Sequence, residues 1–397
     1  MNGHRNIFHG VVAQAREHGL VKDRLRLKDA THVIADVAIP TTLALVAQTR
    51  DKLLAAAEPF DAVRVEGERA RIEVIRVSTE GHDAEERLVG RVTHLGEILA
   101  WTDQLRPPSD ADTNLAWKAL KTARGLAHKI LADQADPKAG DRTRSVVDAD
   151  VRCGRHGDWY DGYLLDVMMD PDSEMLTAMD CLPANGDEAA DAAELVRQKE
   201  MAHGNDIRAL SIDSVAFQGP VLKELQAPEG PALDLYVPPV RERQTTYFAP
   251  EEFHEDMSQG TLTCPAGQST VYRDRNRCDT GWKYRFPRAV CANCPLRDRC
   301  IKKLSATTGR TVIKNEYEAE YRAMRAKAQT AEYAAVRREH PKIERKLSEL
   351  VRRHRARRAR YRGSGKVPIS GLLSGMVVNI KRVVHLLCAS KLALEGK

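Results

Sequence analysis

Residues 338–367, REHPKIERKLSELVRRHRARRARYRGSGKV, constrain this chain more than any other stretch. Pro341 suits the first turn of a helix, where its missing N–H costs nothing. Ile343, Leu347, Leu350 and Val351 recur at i, i+4, i+7 and i+8 and make one apolar stripe. Glu344 follows Ile343 at about 100° round the helix, on the edge of the face to be buried. Between positions 337 and 366 stand thirteen Lys or Arg against three Glu. A carboxylate at the rim of a buried stripe, inside so cationic a segment, fits a metal ligand beside arginines that hold phosphates. Glu349, flanked by Ser348 and Leu350, is the alternative carboxylate on the same helix.

The net charge of +6 hides an asymmetry. Residues 301–397 carry 24 Lys and Arg against 8 Asp and Glu, a net of +16, which leaves −10 for residues 1–300. So basic a quarter favours a polyanionic partner, nucleic acid first. Hydrophobic residues at 42% and charged residues at 30% of 397 fit a soluble globular chain of one elaborated domain or a few modules. The opening MNGHRNIFHG is too polar for a secretory signal. The apolar stretches near 33–47 and 372–387 are broken by Asp36 and Pro40, and by Lys381 and Arg382, so neither reads as a membrane span. The expectation is a cytoplasmic protein without a membrane partner, whose eight cysteines are reduced or bind metal.

Taken in order, residues 1–23 look helical and lead into a period-2 strand. Leu25, Leu27, Asp29, Thr31 and Val33 share one face of it, against Arg24, Arg26, Lys28 and His32. Residues 1–40 form the first strand region and 41–143 a mostly helical insertion, with RARIEVIRV (69–77) as a short strand inside it. Residues 144–240 hold the core sheet. WYDGYLLDVMMD and EMLTAMDCL pair through Pro171-Asp172-Ser173, a helix runs from LPANGDEAA to Gly204, and IRALSIDSVAF is a strand with Asp213 towards its end. Residues 241–310 are a cysteine-rich insertion. Cys264, Cys291, Cys294 and Cys300 are four thiolates, the number tetrahedral Zn²⁺ takes, and reduced cysteines are the other reading. Cys278, beside Arg275, Arg277 and Asp279, reads as an exposed loop residue. Residues 311–397 are a basic helical region ending in one amphipathic helix or a pair. The fold class is α/β (α+β).

Asp29, Asp213 and Glu344 thus come from a first strand, a later strand and a late helix. Two-metal phosphoryl transfer draws carboxylates from separate elements onto one point. Oxygen ligands of this kind suit Mg²⁺ or Mn²⁺. The substrate would be a polyphosphodiester, bound by its backbone in a salt-dependent way.

The chain resembles the DDE transposases of bacterial insertion sequences, in the branch with a cysteine-rich insertion. The resemblance is carried by KDATHVIADV, DGYLLDVMMD with LPANGDE, SIDSVAF, the CPAG…CANCPLRDRC block, and HPKIERKLSEL…RARYRGSGKV…NIKR. It implies a ribonuclease-H-like mixed sheet flanked by helices, with a helical insertion after the first strand and the cysteine-rich one before the last catalytic helix. It also implies that Asp29, Asp213 and Glu344 bind two divalent metals, and that Arg352, Arg353, Arg357, Arg358 and Lys366 track phosphates. The implied activity is cleavage at the element's ends and transfer of the freed 3′-hydroxyl to target DNA, by a homodimer on DNA associated with the nucleoid.

Two features depart from that family's pattern. Only 28 residues precede Asp29, where the family usually has a helical DNA-binding domain, and His340 stands where an arginine tends to lie one turn before the glutamate. A truncated, catalytically silent DNA binder and a zinc-stabilised nucleic-acid-binding module are the alternative functions.

Overall fold

The computed structural model describes residues 3–111, 113–240, 246–276, 280–305 and 307–395, with side chains to residue 389. Two compact units alternate along the sequence. One comprises Met1–Val21, Asp29–Asp187 and Ile343–Lys397, the other Lys22–Lys28 and Glu188–Lys342. Strand β1 (Arg26–Ile34) and the helix Pro341–His354 run across the divisions. Among the described residues the sheets are one six-stranded mixed sheet and two of three strands, so the α/β class holds.

In the first unit, the helix Gly3–Glu17 buries Phe8, Val12 and Ala15. The helices Thr42–Ala57, Ala62–Ser78, Ala84–Asp103 and Leu115–Ala135 form the helical insertion, around a core that includes Val46, Leu53, Leu95, Ile98, Leu120 and Ile130. Residues 69–77 are helical here, not a strand. Asp61 caps that helix by accepting from the Arg64 N–H, and Glu68 takes ion pairs from Arg64 and Arg71 at i,i+4 and i,i+3. Val74 and Val77 stay exposed, so their β-branching had no sheet to join.

The same unit holds β2 (Arg152–His156), β3 (Asp158–Met169) and β4 (Leu176–Pro183), antiparallel in sequence, with β3 and β4 in register from Tyr163↔Pro183 to Met168↔Ala178 and a one-residue shift before Met169↔Leu176. The hairpin turn is closed by Asp170, whose carboxylate accepts from the Ser173 N–H and hydroxyl. On its other side β3 lies so close to β1 that a Cβ on Gly162 would sit 2.0 Å from the Val33 carbonyl oxygen; only glycine fits. The C-terminal segment is a single helix, Val367–Glu395, tied to β4 by Asn379, which accepts from the Leu176 N–H and donates to its carbonyl.

In the second unit, Arg26 and Leu27 of β1 pair in parallel with Leu210 and Ser211 of β5 (Ala209–Ser211), and β5 pairs in parallel with β6 (Asp234–Tyr236). The expected solvent face of β1 is corrected: Arg26 and Lys28 are fully buried. Arg26 is ion-paired with the equally buried Glu200, and the Lys28 ammonium donates to the Glu188 carbonyl. The helical stretch before β5 starts only at Ala192 and passes through a π turn before ending at Gly204 in the left-handed region. Farther on, Trp282–Pro287 pairs with both Arg273–Arg275 and Thr308–Lys314, and Thr261–Thr263 with both His254–Asp256 and Ser269–Thr270. Residues 308–314 are therefore strand where helix was expected from 311. Phe253, Leu262, Tyr284, Phe286 and Val312 form the core between these small sheets.

Candidate functional site

Asp29 lies midway along β1, half-buried, with one carboxylate oxygen accepting from the Ala30 N–H at 2.8 Å. Asp213 follows β5 by two residues and starts a short 3₁₀ turn, accepting from the Val215 N–H at 3.1 Å. The end of β5 is gripped from the helix Ala331–Glu339 and the residue after it. Arg337 donates to the Ile212 carbonyl at 2.8 Å and to the Ser211 hydroxyl at 2.9 Å. His340 Nδ1 lies 3.1 Å from that same hydroxyl. His340 is buried, and its pKa is pushed down to about 4, first by burial and then by the Arg337 guanidinium. A neutral ring leaves Nδ1 able to accept the Ser211 proton. His340 thus serves as a strand clamp. Its role, and that of Arg337, was not readable from sequence because their partner lies 126 positions or more away in the chain.

Glu344 sits in the first turn of Pro341–His354 and is exposed, while Ile343, Lys346, Leu347 and Leu350 are buried. Glu349 is half-buried and ion-paired with Lys346 at 3.0 Å. Burial alone would raise its pKa, but the Lys346 ammonium outweighs it and the net shift is downward. Of the two candidate glutamates, Glu349 already has a cation of its own. Among the described residues, no group of three or more His, Cys, Asp or Glu is arranged to hold a metal ion.

The arginine run divides into two kinds. Arg352, Arg353, Arg358 and Lys366 are exposed, as expected of phosphate contacts. Arg357 is half-buried and turned onto β1, donating to the His32 carbonyl at 2.8 Å and the Thr31 hydroxyl at 3.2 Å. Its backbone joins in, with Ile34 N–H donating to the Arg357 carbonyl and Ala359 N–H to the Ile34 carbonyl. Arg357 acts as a structural stitch. Two cations overlooked in the sequence, Arg355 and Arg360, join Arg358, Val351 and Asp36 around an open cleft of about 680 Å³. Arg355 has φ +57°, a left-handed conformation that costs a non-glycine residue about 1–2 kcal/mol.

The four expected cysteines border one cavity, without forming a metal-holding group among the described residues. Cys264, Cys291, Cys294 and Cys300 line one small cavity of about 20 Å³ with Phe253 and Phe286. The Cys294 N–H turns back on the Cys291 carbonyl, and the Arg310 N–H donates to the Cys291 sulfur. Burial, and then the neighbouring sulfurs, push the Cys291 and Cys300 thiols up, although the Arg310 side opposes this. None of the four is in a disulfide. Cys278 lies outside the described residues.

No curated protein and no solved structure matches the chain. One family model does, described as a transposase DDE domain, over residues 263–384. That span takes in the cysteine block, Glu344 and the arginine run, and stops short of Asp29 and Asp213. Over that span the chain is similar to the DDE domain of transposases.

Proposed function

We propose that this protein cuts and joins DNA strands at the ends of a bacterial insertion sequence, with Asp29, Asp213 and Glu344 as the ligands of divalent metal ions. The observation that carries the reading is the match of residues 263–384, which contain Glu344 and the arginine run, to a transposase DDE domain. Arg26 faces Leu210 and Leu27 faces Ser211 in parallel. Counting two residues on from Leu27 and Ser211 reaches Asp29 on one strand and Asp213 on the other. Their position at or beyond the carboxyl end of parallel pairing is where α/β sheets tend to present ligand groups. The antiparallel β3–β4 pair in the first unit and the parallel β5–β6 pair in the second each fit the ribonuclease-H-like reading.

The donor set is all carboxylate, which suits Mg²⁺ or Mn²⁺. Bound there, such ions would polarise phosphoryl oxygens and lower the pKa of a coordinated water. The chain's own contributions are three. Arg337 and His340 hold the end of β5, and so the direction of Asp213. Arg357 holds the end of β1 beyond Asp29. Arg355, Arg358 and Arg360 offer guanidinium groups to backbone phosphates. The test is Mg²⁺-dependent nicking and strand transfer on DNA carrying the sequence that flanks this gene. Asp213→Asn should abolish strand transfer and leave DNA binding intact or slightly tighter, because a ligand and a charge opposing phosphate are both removed. Strand transfer surviving in Asp213→Asn would take Asp213 out of the site.

A second reading, a silent DNA-binding transposase, is favoured by the lack of a three-ligand group among the described residues and by His340 in place of an arginine. Salt-sensitive DNA binding by the wild-type chain, with no cleavage in Mg²⁺ or Mn²⁺, would select it. We further propose that Cys264, Cys291, Cys294 and Cys300 hold structural Zn²⁺. Four buried or half-buried sulfurs that disfavour one another's thiolate form gain from a cation among them. Purified protein should then contain about one zinc per chain, lost in Cys291→Ser; a content near zero would exclude it.

A further inference from the structure

Arg355 and Arg360 are shared by two clefts. One is the open cleft of about 680 Å³ that they line with Arg358 and Asp36. In the other, the same two arginines meet Arg353, His354, Leu373, Ser374 and Val377 around about 340 Å³. That is near the lower end of small-ligand pockets, room for about one nucleotide and too little for a duplex.

Two chemistries line this smaller cleft. Arg353, Arg355 and Arg360 are exposed, so their guanidinium groups are open to an incoming anion. Arg360 is already aimed, because one of its nitrogens donates to the His354 carbonyl at 3.2 Å. Arg355 is held at φ +57°, a strained backbone of the kind that collects at binding sites. Among the described residues that line the cleft, none is acidic. The surrounding field is cationic as well. Burial and then Lys381 hold His354 below the usual histidine range, Arg353 and Arg360 add to this, and Glu349, itself paired with Lys346, opposes it. The wall supplied by the last helix is different. Leu373 and Val377 on it are 38% and 43% exposed, and Ser374 between them is buried.

Guanidinium groups beside an apolar wall suit an anion that carries an apolar or planar body, as a nucleotide does. An internal phosphodiester brings one charge on two free oxygens. A terminal phosphate brings three oxygens and about −1.5 to −2 charges at pH 7, a closer match to three arginines. We propose that this second cleft takes the end of a DNA strand bearing a 5′-phosphate, with the phosphate on Arg353, Arg355 and Arg360 and the terminal nucleoside on Leu373 and Val377. The inference rests on the strand cleavage proposed above, which makes such an end. The oxygen of water joins the phosphorus, the bond from phosphorus to the 3′ oxygen breaks, and one proton of the water ends on that oxygen. The phosphate therefore stays on the 5′ end of the other strand.

The experiment is fluorescence anisotropy of a short single-stranded DNA, labelled at its 3′ end and carrying either a 5′-phosphate or a 5′-hydroxyl, with the full chain in EDTA and salt of about 0.15 M. The phosphorylated strand should bind about tenfold tighter, the gain from about one further charge-assisted contact. Arg353→Gln and Val377→Glu, exposed positions that line only the smaller cleft, should each remove that preference with circular dichroism unchanged. Arg358→Gln, in the larger cleft alone, should weaken both strands equally and keep it. Equal binding of the two strands to wild type overturns the inference, as does a preference that survives in Arg353→Gln or Val377→Glu. A preference lost in Arg358→Gln also overturns it, by moving the phosphate to the larger cleft. Deoxyadenosine 5′-monophosphate competing as strongly as the phosphorylated strand would replace the DNA end by a free nucleotide. No divalent metal is present, so a chain that fails to cleave DNA through Asp29, Asp213 and Glu344 gives the same readout here, and the two failures are told apart.

Discussion

Two cationic regions of this molecule look alike in sequence and behave in opposite ways. Along β1 and behind β5, Arg26, Lys28 and Arg337 are drawn into the protein and bonded to Glu200, to backbone carbonyls and to Ser211, which the neutral His340 also holds. In the last turn of the helix Pro341–His354 and just beyond it, Arg352, Arg353, Arg355, Arg358 and Arg360 are exposed. A buried cation must have its partner supplied, since water no longer solvates it, and so it becomes part of the framework. An exposed one remains available to a mobile anion. Arg357 belongs with the first group although it stands in the middle of the second.

Breaking the first region should have the largest effect. Glu200→Ala removes the fully buried carboxylate of Arg26, leaving it Asp23 at 3.6 Å and backbone carbonyls, and should cost about 3 kcal/mol, measured by urea unfolding. A loss below about 1 kcal/mol would mean that water reaches Arg26.

Next in size is a pH effect on the same region. His340 titrates at about 4 in the fold against 6.5 when free. Between those values the unfolded chain binds more protons than the folded one. Stability is therefore complete above pH 6.5 and is lost as pH falls towards 4, by up to about 3 kcal/mol. His32 is pushed down to about 4 as well, first by burial and then by Arg357 and His156, and adds in the same direction. His340→Gln should flatten the slope of Tm between pH 6.5 and 4; an unchanged slope would assign it elsewhere.

The sharpest contrast is between adjacent residues. Arg357→Ala should lower stability by about 1–3 kcal/mol, because the His32 carbonyl loses its donor. Arg358→Ala should leave Tm unchanged, weaken DNA binding and reduce the salt slope of that binding by about 1. If the two variants behave alike, the division into framework and surface cations fails. The smallest effect concerns Arg355. Arg355→Gly relieves its left-handed backbone and should stabilise the fold by about 1 kcal/mol, yet weaken DNA binding. Stabilisation with unchanged binding would show the cation at this strained position to be incidental.

Hydrophobic period and composition made much of this molecule legible beforehand. The strand around Asp29, the β3–β4 hairpin, the apolar stripe of Pro341–His354 and the cysteine block all follow from local patterns that packing reinforced. Residues 69–77 were misread because β-branched side chains carry a strand signal even on a solvated helix, where Asp61, Glu68 and Arg71 decide the outcome. The strand at 308–314 was missed because its partner, Trp282–Pro287, has no counterpart in its own pattern.

The sequence by itself determined which residues can bind a metal or a phosphate, since charge and ligand chemistry belong to the side chain. Only the tertiary structure decided which cations face water, which side of the last helix stays open, and that Arg337 and His340 hold the strand end before Asp213. Burial and long-range hydrogen bonding depend on partners more than a hundred residues distant, and no local pattern encodes them.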